Sequence, residues 1–481
     1  MTIIQHIASQ FVEKILNSLK NDGLSDIGKT INSFFPIVSQ TVLEIIQAVL
    51  KEMDDSLCTS AKSLRKQDGI TIKERNISRT VLTELGELTY QRTYFKGSDG
   101  SFAYLLDHLI GVEEYERMSK QFAATLLNAA SVNSYQKAID LTKQDVSRQT
   151  VHNRMLAMKN LAVDVQRVKE TPETLDLFAD EDHVHLNPRR SAIVPLVTIT
   201  EGMDESNPGR HRTINPLHIA AYGMSQDAFQ ANVLAVLNQR YDLPRVKKIN
   251  LHADGGKWIA ALQDQLPRCC LVMDGYHLEK YLRPFLRLEG ASHYAKVVRE
   301  ALKDQKGYAK FESICKKIEQ LQSTEAEKNK VHVFQSYCKT HWDSIVLRMN
   351  KQTCGSCTES QVSHVLSERL SRNPIAWSRK GLSKMTMLVV YTKNGCKVAA
   401  DDVRVHTTDQ ADSDFRNQGY TKYAMYAKQQ ADELMEAFRN TDFFEPEHFS
   451  FSKVDPAYII RKSMGRLASL SDIIAYFSVT T

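Results

Sequence analysis

The chain has 481 residues, 62 Lys+Arg against 57 Asp+Glu, a net charge of +5 and 42% hydrophobic residues. That length allows two to four domains and an ordinary buried core, and it excludes a disordered or fibrous protein. The mild basic excess permits a nucleic-acid partner without arguing for one.

No stretch reaches the roughly 18–20 apolar residues that span a membrane. The start, MTIIQHIASQFVEKILNSLK, lacks the layout of an export signal, so the expected compartment is the cytoplasm, with no membrane partner. Eight cysteines are then expected as thiols. Cys338-x2-His341 followed by Cys354-x2-Cys357 has zinc-type residues and spacing, with buried or surface thiols as the alternative.

Residues 1–75 read as a helical region. Ile3, Ile4, Ile7, Phe11 and Ile15 recur at helical spacing, as do Val42, Ile45, Ile46 and Val49. Thr59–Asn76 reads as a linker or a solvated helix. Residues 76–112 change period, and β-formers on both sides of Leu85-Gly-Glu87 predict a hairpin.

Residues 113–165 return to helix. Two short amphipathic segments, Ser134–Leu141 and Gln149–Lys159, flank Asp145-Val-Ser147, with Ser147 placed to cap the second. The pattern fits a helix-turn-helix, or equally an ordinary helical hairpin. In the first case Arg148, Gln149, His152, Asn153 and Arg154 would face DNA.

From residue 170 the pattern is α/β. Leu175–Leu186, Ala192–Thr200 and Pro216–Tyr222 read as strands, and Gln226–Tyr241 as a helix. Val246–Ala253 and Cys269–Met273 are further strands, separated by a helix over Lys257–Gln265. This order predicts a ribonuclease H-like core, a mixed sheet flanked by helices, over 170–284. Residues 285–350 are charged and helical and read as an all-helical insertion. Residues 351–397 return to the core with a helix over 360–371, and 398–481 form a tail without an assigned role.

Four acids stand out on this frame: Asp180, Asp254, Asp274 and Glu359. Carboxylates from strand ends and a helix are what two Mg²⁺ (or Mn²⁺) ions need for in-line displacement at phosphorus. Strand alternation puts Asp180 and Asp182 on one face, with Asp180 favoured as the first ligand. Asp254 precedes Gly255-Gly256, which allow a sharp turn and close approach of a substrate backbone, although an acid there also serves as a plain turn residue. Asp274, His277 and Lys280 follow the last strand. Asp274 either supports the site with His277 or merely caps the next helix.

As a set, Ala179-Asp-Glu-Asp-His-Val184, Ala253-Asp-Gly-Gly-Lys-Trp-Ile259, Met273-Asp-Gly-Tyr-His277 and the run from Glu359 to Ser371 resemble one family. That family is the ISLre-type bacterial insertion-sequence transposases, long grouped as uncharacterised. Arg79-Thr-Val-Leu-Thr83 and Tyr104-Leu-Leu-Asp107 resemble it too, and the likeness covers about residues 75–395. The chain departs from it at Ser360, where the family usually carries glycine, and at Asn373-Pro-Ile-Ala376.

The resemblance implies a DDE transposase with Asp180, Asp254 and Glu359 as metal-binding triad. It further implies double-stranded DNA as partner, both element ends and target, and at least a dimer at work. Two alternatives stay open: a DNA-binding regulator without catalysis, and a metal-dependent nuclease without strand transfer.

Overall fold

The computed structural model describes residues 3–22, 26–188, 190–204, 206, 212–350, 353, 355, 357–373, 375–403 and 421–439. The chain divides into two compact units, residues 1–122 with 408–481, and residues 123–407. The division falls inside the segment 113–165 that the sequence presents as one region. Part of the tail belongs with the N-terminus.

In the first unit the helices Ile3–Asp22 and Ile27–Cys58 lie side by side. Lys14 Nζ is 3.3 Å from Glu44 Oε1, and the Ser18 and Ser33 hydroxyls are 2.8 Å apart. Contrary to the sequence expectation, Ile27–Cys58 is long and apolar enough to cross a membrane on length and composition alone. A search for an unbroken apolar run passes over it, because polar residues such as Lys29, Ser39 and Gln40 interrupt it.

Its C-terminal half enters the core of this unit through Leu50, Leu57 and Cys58. Thr59–Asn76, expected as a linker or a solvated helix, holds the helix Lys62–Gln67 and the start of a strand. Strands β1 (Thr71–Thr83) and β2 (Gly86–Lys96) form the hairpin, and β3 (Phe102–Ala103) extends it. The helix Thr421–Arg439 adds Tyr423 and Ala427 to the same core.

The second unit is built on a five-stranded mixed sheet. Its strands are β4 (Thr174–Leu186), β5 (Arg190–Thr200), β8 (Leu217–Ala220), β9 (Lys248–Ala253) and β10 (Cys269–Met273). A separate small ribbon joins β6 (Met203–Asp204) to β7 (Arg212–Thr213). The order is β10-β9-β4-β5-β8. β4–β5 and β5–β8 pair antiparallel, while β9 runs parallel to β4 and β10 parallel to β9.

Alternation sorts the strands into two faces. Leu175, Leu177, Ala179, Val197, Ile199, Ile249, Leu251 and Ala253 join the core formed with the helices Gln226–Arg240 and Lys257–Gln265. Burial at about 25 cal/mol per Å² makes that face the main source of stability. Against the sheet also pack the helical run Thr358–Leu370, on β4, and Arg379–Lys393, on β8. Within the first of these, Ser363–Ser367 is wound as a π-helix, which periodicity does not reveal.

Between β10 and that run stand the helices Gly275–Leu286, Ala291–Ala301, Tyr308–Leu321, Glu325–Thr340 and Trp342–Met349. They have their own core, with Phe285, Phe311, Phe334 and Trp342 in contact. The helices Tyr135–Thr142 and Arg148–Ala157 are both capped by serines: Ser134 accepts from Lys137 N, and Ser147 from Thr150 N. Lys143, in the left-handed conformation at φ 55°, ends the first. Arg148–Ala157 rests on Arg379–Lys393.

Candidate active site

β4 runs through the middle of the sheet, and on the face away from the Gln226–Arg240 helix it carries Asp176, Phe178, Asp180 and Asp182. The first two are braced against β9. Phe178 pairs in register with His252 and stacks on it at 4.7 Å. Asp176 Oδ1 accepts from His252 Nε2 at 2.8 Å and from Asn250 Nδ2 at 3.0 Å. Glu181 points to the other face and accepts from Trp258 Nε1 at 2.8 Å, which ties the helix after Asp254 to β4.

Asp180 and Asp182 share a face and have different surroundings. Asp182 is buried, and its Oδ1 accepts from Ser371 Oγ at 2.8 Å and Ser367 Oγ at 3.1 Å. Burial raises its carboxyl, and the two hydroxyls counter that. Among the described residues, Asp180 accepts only from the adjacent Glu181 N, at 2.8 Å. Its carboxyl is pushed up to about 7, first by burial. The negative charges of Glu359 and Asp254 add to this, while the Glu181 amide and His277 oppose it.

Three carboxylates from three elements therefore share one electrostatic neighbourhood: mid-β4, the end of β9, and the helix after the insertion. Among the described residues, no Lys or Arg forms an ion pair with any of them. Asp254 is also a turn residue, since its Oδ1 accepts from Gly256 N at 2.8 Å. Glu359 is exposed.

Asp274 combines the two roles weighed from the sequence. It caps the helix Gly275–Leu286, accepting from Tyr276 N at 2.8 Å and His277 N at 3.2 Å. It also stands 3.4 Å from His277 Nδ1, long for a hydrogen bond. That carboxylate raises His277 above the ordinary imidazole range. Burial opposes the shift, and Asp254 and Asp180 reinforce it. Lys280, further along the helix, is exposed.

Among the described residues, the zinc spacing does not gather a site. Cys338 is fully buried in the core of the helical insertion, and His341 lies elsewhere, against Gly255. Burial pushes the Cys357 thiol up to about 11, with Asp274 and Asp176 close enough to contribute. Cys354 lies outside the described residues. Among those described, no three His, Cys, Asp or Glu side chains stand close enough to grip a metal ion, the acidic trio included.

His341 is a neighbour of the site that its spacing from Cys338 did not reveal. Gly255 has φ +84°, and a Cβ there would lie 2.5 Å from the imidazole. A glycine forced at that position, next to a candidate acid, was the available signal of a close approach.

Of the five residues proposed to face DNA, Arg148, Gln149 and Asn153 are exposed, and Gln149 Nε2 donates to Asn153 Oδ1 at 2.8 Å. His152 and Arg154 are partly buried. His152 turns inward, 3.5 Å from the Tyr135 hydroxyl and close to Gly381, so it braces the helix pair rather than serving an outer face.

A family model described as Uncharacterised protein family (UPF0236) matches residues 25–406. The chain belongs to that family. A UPF0236 protein of Caldanaerobacter subterraneus subsp. tengcongensis is 30% identical over 392 residues, covering 80% of this chain and 82% of its own length. A second from the same organism, whose name joins eleven numbered designations, is 29% identical over 403 residues, 82% of this chain and 84% of its own. A UPF0236 protein of Streptococcus gallolyticus is 25% identical over 399 residues, 77% of this chain and 86% of its own. The UPF0236 match takes in every acid discussed above and stops before the helix Thr421–Arg439.

Proposed function

We propose that this protein is a DDE-type DNA transposase that cuts the ends of an insertion sequence and joins them to target DNA. The observation that carries this reading is that Asp180, from mid-β4, feels the charges of Glu359 and Asp254 from two other elements, with no Lys or Arg in an ion pair with any of the three among the described residues. The sheet supports it. Taken in chain order the five strands run 5-4-1-2-3 across the sheet, with the second antiparallel to the rest, as in a ribonuclease H-like core. The relative whose name joins eleven designations adds support, because one sequence repeated through a genome suits a mobile element.

The donor chemistry fits hard divalent cations. Oxygen ligands suit Mg²⁺ or Mn²⁺, and an uncompensated cluster of carboxylates gains from such a charge. Asp180, Asp254 and Glu359 would hold the ions, whose role is to activate the attacking oxygen and stabilise the leaving one. The glycines after Asp254 let a strand approach the site, and His277 stands beside it with the Asp274 carboxylate 3.4 Å from its Nδ1. Asp182, held by two serines, belongs to the scaffold in this reading. The exposed Arg148, Gln149 and Asn153 would contact the inverted repeats as part of a helix-turn-helix, working in the cytoplasm as at least a dimer.

The test uses DNA carrying the element ends with Mg²⁺. Asp180→Ala, Asp254→Ala and Glu359→Ala should each abolish strand cleavage while end binding persists. Cleavage at the wild-type rate by one of them would remove that residue from the triad. Specific binding without any nicking by the wild type would make the protein a DNA-binding regulator. Nicking without joining a pre-cleaved end to a plasmid would make it a nuclease.

A further inference from the structure

The last helix of the insertion, Trp342–Met349, packs along β10, and it brings two basic side chains to the ends of neighbouring parallel strands. His341, just before it, covers Gly255 after β9. Arg348, two turns on, covers Gly275 after β10, where a Cβ would lie 2.7 Å from one guanidinium nitrogen. Each of these glycines follows a candidate acid, Asp254 in one case and Asp274 in the other. Burial lowers His341, so Arg348 carries the fixed positive charge of the pair.

Arg348 is only partly buried, and among the described residues its guanidinium forms no hydrogen bond or ion pair. Asp274, adjacent to Gly275, spends one carboxylate oxygen on the helix amides of Tyr276 and His277. A guanidinium left unpaired at the rim of an acid-lined site has its donors available for an oxyanion. A DNA strand brought to three carboxylates meets repulsion, and a forked cation at the end of the neighbouring strand β10 offsets it.

We propose that Arg348 holds a backbone phosphate of the strand that enters this site, with Gly275 giving the guanidinium room to lie flat over the strand end. The inference rests on the phosphoryl-transfer reading for its ligand class, a nucleic-acid phosphodiester, and makes Arg348 a positioning residue. It requires no titration and no metal.

The test measures binding of a short single-stranded oligonucleotide by the full chain in EDTA, across a salt series. Arg348→Gln should weaken binding about tenfold and reduce the salt slope by about one phosphate contact. Arg348→Lys should keep the slope and lose part of the affinity. Gly275→Ala, which displaces only the far end of a flexible side chain, should give an intermediate loss. An unchanged salt slope in Arg348→Gln, with unfolding and circular dichroism as in the wild type, would overturn the proposal. A reduced slope alongside a wild type that never cuts DNA would leave the phosphate site standing and sink the transposase reading instead.

Discussion

The two faces of the central sheet are made by the same strands and do opposite things. On one, Leu175, Leu177, Ala179, Ile249, Leu251 and Ala253 are buried against two helices. On the other, Asp176, Asp180, Asp182, Asn250 and His252 alternate with them residue by residue. Within the second face, Asp176 and Asp182 each accept two side-chain hydrogen bonds on Oδ1, and Asp180 is set among other acids. One face makes the fold stable. The other tolerates a charge that costs stability, and that contrast identifies the site.

The sharpest break of this contrast is Asp180→Asn. Cleavage should fall by about a thousandfold or more, since the change removes a ligand and keeps the shape. On the apolar face, Leu177→Ala should cost about 2–5 kcal/mol, read from urea unfolding, because it leaves a cavity under β4.

The next effect is on pH dependence. Asp180 has its folded-state value raised to about 7 from an ordinary 3.8, so the folded protein holds a proton that the unfolded chain releases. Its contribution is present below the ordinary 3.8 and is lost as pH rises through about 7, on the order of 4 kcal/mol. Without divalent ions, wild type minus Asp180→Asn should therefore show a stability difference that grows between pH 5 and pH 8, each about those values, with the variant the more stable at the upper end. A flat difference would mean that Asp180 is not strained by its neighbours. The smallest effect is Ser371→Ala, which removes one of the two hydroxyl donors to Asp182 and should cost about 1 kcal/mol with cleavage unchanged.

Local pattern carried much of this in advance. β4, β5 and β9 read from alternation, and the helix Lys257–Gln265 and strand Cys269–Met273 coincide with their predicted bounds. What alternation could not do was choose between Asp180 and Asp182, which share its parity. The choice depends on Ser367 and Ser371, almost 190 residues further on, which satisfy only the second. Long-range partners of that kind leave no local trace. His341 was open to the same error: its spacing from Cys338 suggested zinc, and its actual neighbour, Gly255, lies far earlier in the chain. His152 was read as part of the outer face, and periodicity gave no sign that Gly381 of the later helix Arg379–Lys393 lies near its ring.

The π-wound turn at Ser363–Ser367 has a geometric consequence for Glu359. At about 100° per residue, an unbroken α-helix would set Glu359 and Ser367 about 80° apart around its axis. A widened turn absorbs one residue, which closes that gap to about 20° and lines up Glu359, Ser367 and Ser371 in one stripe. The two serines grip β4 through Asp182, so the stripe they define is the one that aims the glutamate. The widened turn thus acts as a phase shifter. Deleting a single residue from it would restore an ordinary helix in the same phase, whereas closing the turn at full length would set the acid about 80° from Ser367.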